Sequence, residues 1–154
     1  IYTHIYKINM IDYILNFIQS NPLLTCLALF WIYRIYQSQK PFPKVEGSKV
    51  KSISSMPEFE QALLEGKKEG KRVLCDFYAT WCPPCKMAAP VYGGWSKEHT
   101  NVMFLKVNVD TASDVARHCE IKAMPTFKCY VDGKETDTCQ GWNQGKVLQM
   151  VKGE

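Results

Sequence analysis

Two cysteines three positions apart, Cys82 and Cys85 in the stretch Trp81-Cys82-Pro83-Pro84-Cys85-Lys86, are the residues of this chain best suited to chemistry. A thiol pair at that spacing can exchange a disulfide with another molecule, supply half of a zinc site, or close a static bridge. The choice depends on the elements that hold the pair, because only the thiolate attacks or ligates, and local charge decides how readily it forms.

The run Val73-Leu74-Cys75-Asp76-Phe77-Tyr78, β-branched and aromatic between Gly70-Lys71-Arg72 and Thr80, predicts a buried strand leading into the pair. Pro83 fits a helix only in its first turn, where its missing N–H had no partner to lose. Cys82 then stands at the helix's N-terminal edge, with Cys85 one turn in. Free amides and the helix dipole favour a thiolate there, so Cys82 is the expected attacking sulfur. With proline at both 83 and 84, the nearest main-chain donor left for that thiolate is the amide of Cys85.

The stretch Asp76 to Met87, with Pro90, then Met124-Pro125-Thr126-Phe127 and Gly141, resembles thioredoxin, in register from about Lys49 to the C-terminus. Four separated motifs in the right order carry the resemblance. It implies a redox-active Cys82–Cys85 disulfide: Cys82 attacks a substrate disulfide, and Cys85 then displaces the mixed disulfide. Zinc would need two further ligands. Cys119, Cys129 and Cys139, with nine residues between neighbours, include no second Cys-x-x-Cys pair.

Asp76 lies in the middle of the apolar strand. A buried, unpaired carboxyl has a raised pKa, which suits it to accept the Cys85 proton in the resolving step. Lys106 occupies the place where some thioredoxins carry a lysine near that aspartate. The resemblance makes Pro125 a cis-proline whose loop faces the cysteines, with Met124 presenting its backbone to substrate. By the same analogy Trp81, Pro83, Pro84, Gly141 and Trp142 line the docking surface. Cys75 and Cys129 read as core residues, and Cys119, near a helix end, as a buried thiol or a regulatory one.

Length and composition bound the rest. The 154 residues suit one domain with an appendage, and 19 Lys+Arg against 15 Asp+Glu, with no long basic block, give no reason to expect nucleic acid. Seven cysteines are an odd count, and Cys26 sits in an apolar segment, which argues for a reducing compartment over a disulfide framework. No cofactor or metal is expected.

Residues 1–37 form a distinct N-terminal segment. From Tyr13 to Tyr33 no side chain is charged, 21 positions against the roughly 20 that cross a bilayer core. Tyr13 and Phe17 at one end, and Trp31, Tyr33 and Tyr36 at the other, resemble interfacial aromatic belts. A transmembrane anchor is therefore expected at about 13–33, although Asn16, Gln19, Ser20, Asn21 and Pro22 interrupt it; an interfacial helix or a cleaved targeting segment is the alternative. Arg34, Lys40, Lys44, Lys49 and Lys51 after it, against Lys7 before it, place the C-terminal domain in the cytosol by the positive-inside rule. Met10 is a candidate start, and the short closing helix suggests a longer natural chain.

Residues 38–48, polar with two prolines and a glycine, read as a linker to a domain over 49–154. The expected order is a strand near Lys49–Ile53; a helix from a Ser55–Glu58 capping box to about Glu69; the Val73–Tyr78 strand; and a helix to about His99, kinked at Pro90. A strand at Val102–Val107, a helix near Ser113–Cys119, a hairpin of Thr126–Val131 and Glu135–Gln140, and a helix at Asn143–Lys152 follow. This order predicts an α/β mixed sheet with helices on both faces, and the resemblance implies that it is the thioredoxin fold.

The expected function is a membrane-tethered protein-disulfide reductase acting on protein disulfides and recharged, as the family implies, by a thioredoxin reductase. Two alternatives stand beside it. One is a dedicated extracytoplasmic thiol-disulfide oxidoreductase, because Cys-Pro-Pro-Cys also occurs in such tethered proteins, although no histidine stands between the cysteines as an oxidase would favour. The other is a non-catalytic module that clamps a partner through the Pro125 loop.

Overall fold

The structure is a computed structural model that describes residues 2–39 and 41–154. It consists of two compact units, residues 1–40 and 41–154. Lys40, one of the flanking charges invoked above, lies outside the described residues.

The first unit corrects the expectation of one spanning helix. The uncharged run is split between α1 (Tyr2–Ser20) and α2 (Pro22–Gln39), bent by 102° at the break. Pro22 has no N–H to continue the ladder and disfavours helical backbone at Asn21. The break is capped locally. Ser20 Oγ donates to the Asn16 carbonyl at 2.6 Å, and Asn21 Nδ2 donates to that of Phe17 at 3.1 Å. Among the described residues no single helix is long and apolar enough to cross a membrane, while the bent pair together has the length and composition.

In the second unit, β1 (Lys51–Ile53), α3 (Met56–Lys68), β2 (Arg72–Tyr78), α4 (Pro83–Glu98), β3 (Val102–Asn108), α5 (Ser113–His118), β4 (Thr126–Val131), β5 (Lys134–Gln140) and α6 (Gln144–Lys152) follow in the expected order. The sheet runs β1-β3-β2-β4-β5, with β1, β3 and β2 parallel and β4 and β5 antiparallel. β2 is central and buried on both faces, which is why its sequence is a nearly unbroken apolar run. Its period-2 alternation sends Val73, Cys75 and Phe77 into a core with Phe59 and Ala62 of α3 and Val115 of α5. Leu74 faces the other way, onto Tyr92 and Trp95 of α4 and Val147 and Val151 of α6. Asp76 shares that second face, beneath α4.

Two local expectations change. Ser55 is the N-cap of α3, but its side chain makes no capping bond. Glu58 instead accepts from the amide and hydroxyl of Ser54, each at 2.8 Å, and the Met56 amide is satisfied by Asp114 of α5 at 3.2 Å. At this helix start carboxylates, in place of the Ser55 hydroxyl, accept from the amides of Ser54 and Met56. Residues 41–48, expected as a linker, lie against α4, with Ser48 Oγ 3.3 Å from Ser96 Oγ and Ser96 Oγ accepting the Lys49 amide at 3.0 Å. Pro90 falls inside α4, which continues through it as one element.

Candidate active site

Pro83 and Pro84 open α4 at its first two positions, and Cys82 is its N-cap. The Cys82 sulfur accepts from the Cys85 amide at 3.4 Å, the donor that two consecutive prolines leave nearest. The two cysteines are joined as a disulfide, with Cα atoms 5.3 Å apart. Both are buried, whereas Trp81, Pro83 and Pro84 beside them are exposed, so the pair is presented at the surface from an apolar seat. Ala79, Phe42, Tyr78, Val109 and Met124 form that seat.

The loop before β4 faces the pair. Its Met124–Pro125 peptide is cis, and the Cys82 sulfur lies 3.6 Å from the Met124 carbonyl oxygen. The Gly141 amide donates to the Pro125 carbonyl at 2.7 Å, so Met124, Pro125 and Gly141 meet at one edge of the disulfide. Gly141 has φ +81° and open space where a Cβ would stand. A side chain there would be strained by the backbone whatever the space around it. Trp142 instead packs on Trp95 and Phe127, with ring centroids 6.1 and 5.6 Å away.

On the face of β2 that α4 covers, Asp76 is 3% exposed and its Oδ1 has no hydrogen-bond partner among the described residues. Burial pushes its carboxyl up to about 7 against a partial lowering by Lys106, its register partner on β3. Lys106 Nζ also sits 5.9 Å over the Tyr78 ring. A cavity of about 470 Å³ opens beside the carboxyl, lined among others by Tyr78, Ala89, Tyr92 and Lys106. A carboxyl titrating near neutrality in such a space can take up and return a proton.

Two contacts escaped the sequence reading. The Trp81 indole N–H donates to Asp110 at 3.0 Å, fixing the ring beside Cys82. The Tyr92 hydroxyl lies 2.7 and 2.9 Å from the carbonyls of Leu74 and Leu105, pinning α4 over the two central strands. Both partnerships are long-range, and neither Asp110 nor Tyr92 carries a local signal. Cys75, Cys119, Cys129 and Cys139 are buried free thiols. Among the described residues no three His, Cys, Asp or Glu side chains are grouped as metal ligands.

A cysteine pair at a helix start, faced by a cis-proline loop, with a buried carboxyl on the strand that leads into it, defines a thiol-disulfide exchange protein. The comparisons narrow the class. The thioredoxin family model matches residues 49–152. Thioredoxin of Equus caballus is 43% identical over 104 residues, spanning 68% of this chain and 97% of the relative. That of Gallus gallus is 40% identical, spanning 67% and 96%. Among solved structures, a poplar thioredoxin h superposes with a TM-score of 0.65 at 37% identity, covering 68% of this chain and 95% of that one. Plasmodium falciparum thioredoxin gives 0.61 at 38% identity, covering 67% and 97%. The chain belongs to the thioredoxin family, and its homologues support thiol-disulfide oxidoreductase activity on protein disulfides.

The paired prolines carry a test. Replacing Pro83 by glycine restores one amide near the Cys82 sulfur, and the thiol of the reduced protein is expected to titrate lower in the variant. Alkylation rate against pH measures it; an unchanged or higher midpoint refutes the reading.

Proposed function

We propose that the protein is a general protein-disulfide reductase in which Cys82 is the nucleophile, Cys85 the resolving thiol and Asp76 the proton acceptor. The Cys82 thiolate attacks one sulfur of a substrate disulfide, and the other leaves as a thiolate that takes a proton from water. Cys85 then gives its proton to Asp76, and its sulfur attacks Cys82. The mixed disulfide breaks, the second substrate thiol departs, and the Cys82–Cys85 disulfide holds the two electrons' worth of oxidation. The observation that carries this reading is the joined pair at the start of α4 together with a buried carboxyl, one oxygen unpaired, on the strand that leads into it. Met124, Pro125 and Gly141 form the edge against which a substrate chain docks, with Trp81, Pro83 and Pro84 around it. Reducing equivalents come from a thioredoxin reductase.

We further propose that residues 1–40 tether this domain to a membrane, with the catalytic domain cytosolic. Exposed apolar side chains along both helices, among them Ile14 and Phe17 of α1 and Leu23, Phe30 and Trp31 of α2, support the tether, because exposed apolar surface of this kind marks a membrane or protein contact. Arg34, Lys44, Lys49 and Lys51 on the C-terminal side support the orientation.

Insulin reduction in dithiothreitol by the full chain tests the chemistry. The wild type is expected to turn over and Cys82→Ser to be inert; an inactive wild type would leave the binding-module reading in its place. In intact vesicles the domain is expected to be digested by protease added to the cytosolic side, and protection there refutes the orientation.

A further inference from the structure

The family match begins at residue 49, yet residues 42–48 are built into the redox domain. Phe42 packs on Tyr78 with ring centroids 4.6 Å apart and planes tilted by 41°, and it packs against the group formed by Ala79, Cys82 and Cys85. Val45 sits where α4 has a glycine: a Cβ on Gly93 would lie 2.7 Å from Val45 Cγ2. Lys97 Nζ donates to the Glu46 carbonyl at 3.4 Å, and Ser48 meets Ser96. Phe42, Pro43, Lys44 and Val45 form one wall of the cavity beside Asp76. An unpacked linker would leave that side of the cavity open to water.

We propose that the Phe42–Val45 strap is a positioning element of the redox centre, walling the cavity beside the Asp76 carboxyl and governing how that carboxyl meets water during proton transfer from Cys85. This rests on the reading of Asp76 as proton acceptor. Residues that act through Asp76 in this way are not catalytic themselves; they set the polarity of the space it faces. The titratable and charged groups around that carboxyl are Lys106 of β3, Tyr78 and Cys75 of β2, Tyr92 of α4 and Lys44 of the strap. Desolvation is the larger influence on Asp76, so admitting water stabilises its charged form and lowers its titration midpoint.

The experiment follows the Asp76 carboxyl by carbon NMR in the full-length chain labelled at aspartate, the signal assigned by its loss in Asp76→Asn. Phe42→Ala removes part of the wall, and Gly93→Ala pushes Val45 outward from beneath while suiting a helix interior. Both are expected to lower the midpoint by about one pH unit, and Phe42→Leu to retain it. Midpoints equal to wild type in both Phe42→Ala and Gly93→Ala, with native circular dichroism, overturn the strap's role. Resolution of a Cys82 mixed disulfide is timed in parallel. If Asp76→Asn resolves at the wild-type rate, the acceptor reading falls and takes the proposal with it. If Asp76→Asn is slow and the strap variants titrate as wild type, only the strap's role is lost.

Discussion

With Cys85 replaced by serine, the protein is expected to attack a disulfide once and remain bound to it. Cys82 keeps its place at the N-terminal edge of α4, so the first exchange proceeds, while the sulfur that would displace the substrate is gone. The release rate then falls to that of whatever external thiol reaches a buried mixed disulfide. A neighbouring group held in reacting geometry outpaces millimolar external reagent by several orders of magnitude, so turnover should drop at least about a thousandfold. Two-dimensional gels run without and then with reductant would display the captured chains as spots off the diagonal. The reciprocal Cys82→Ser variant should capture nothing. The same trapping by Cys82→Ser would reverse the assigned order of attack, and sustained turnover by Cys85→Ser would take Cys85 out of the resolving step.

Asp76→Asn is expected to alter both rate and stability, each with its own pH signature. Loss of a positioned proton acceptor should slow resolution by about a hundredfold near neutral pH. Stability moves in the opposite sense. The folded chain holds the Asp76 proton more tightly than the unfolded chain, because burial raises the carboxyl to about 7 from an ordinary 3.8. The folded state therefore has its full advantage from this group below the ordinary carboxyl range and loses it as pH rises through about 7. Asparagine has no charge to bury. The variant should match wild type near pH 3 and exceed it at pH 9, by on the order of 4 kcal/mol. Denaturant unfolding at the two pH values measures the gap; a gap of equal size at both would show that burial does not raise this carboxyl above its ordinary range.

What could be read from the sequence divides by the range of the interactions concerned. β2 was legible because a strand buried on both faces has to be apolar throughout, and Asp76 stood out as the one carboxyl within it. The hairpin was legible because Asp132-Gly133 supplies the turn, with Asp132 at φ 53° and Gly133 at φ 77°. α4 was placed by its prolines, since Pro83 and Pro84 fit only a first turn. The strap left no such mark. Pro41, Pro43 and Gly47 give it the composition of a flexible connector, and its anchors lie about 48 residues away on α4, at Gly93 and Ser96. Asp110 and Tyr92 were hidden for the same reason. The 102° bend was half legible: Pro22 marked the break, but a run of uncharged residues says nothing about the angle between its parts.

The bond from the Gly141 amide to the Pro125 carbonyl ties the two loops at the open end of the β4–β5 hairpin into one clamp. A clamp already ordered loses little freedom when it closes on a partner, so the entropy of docking falls on the incoming polypeptide. Disulfides in slack, easily straightened segments should therefore be preferred over those locked in rigid cores, whatever sequence surrounds them. Breadth of substrate choice would then follow from the stiffness of this protein and the suppleness of its clients.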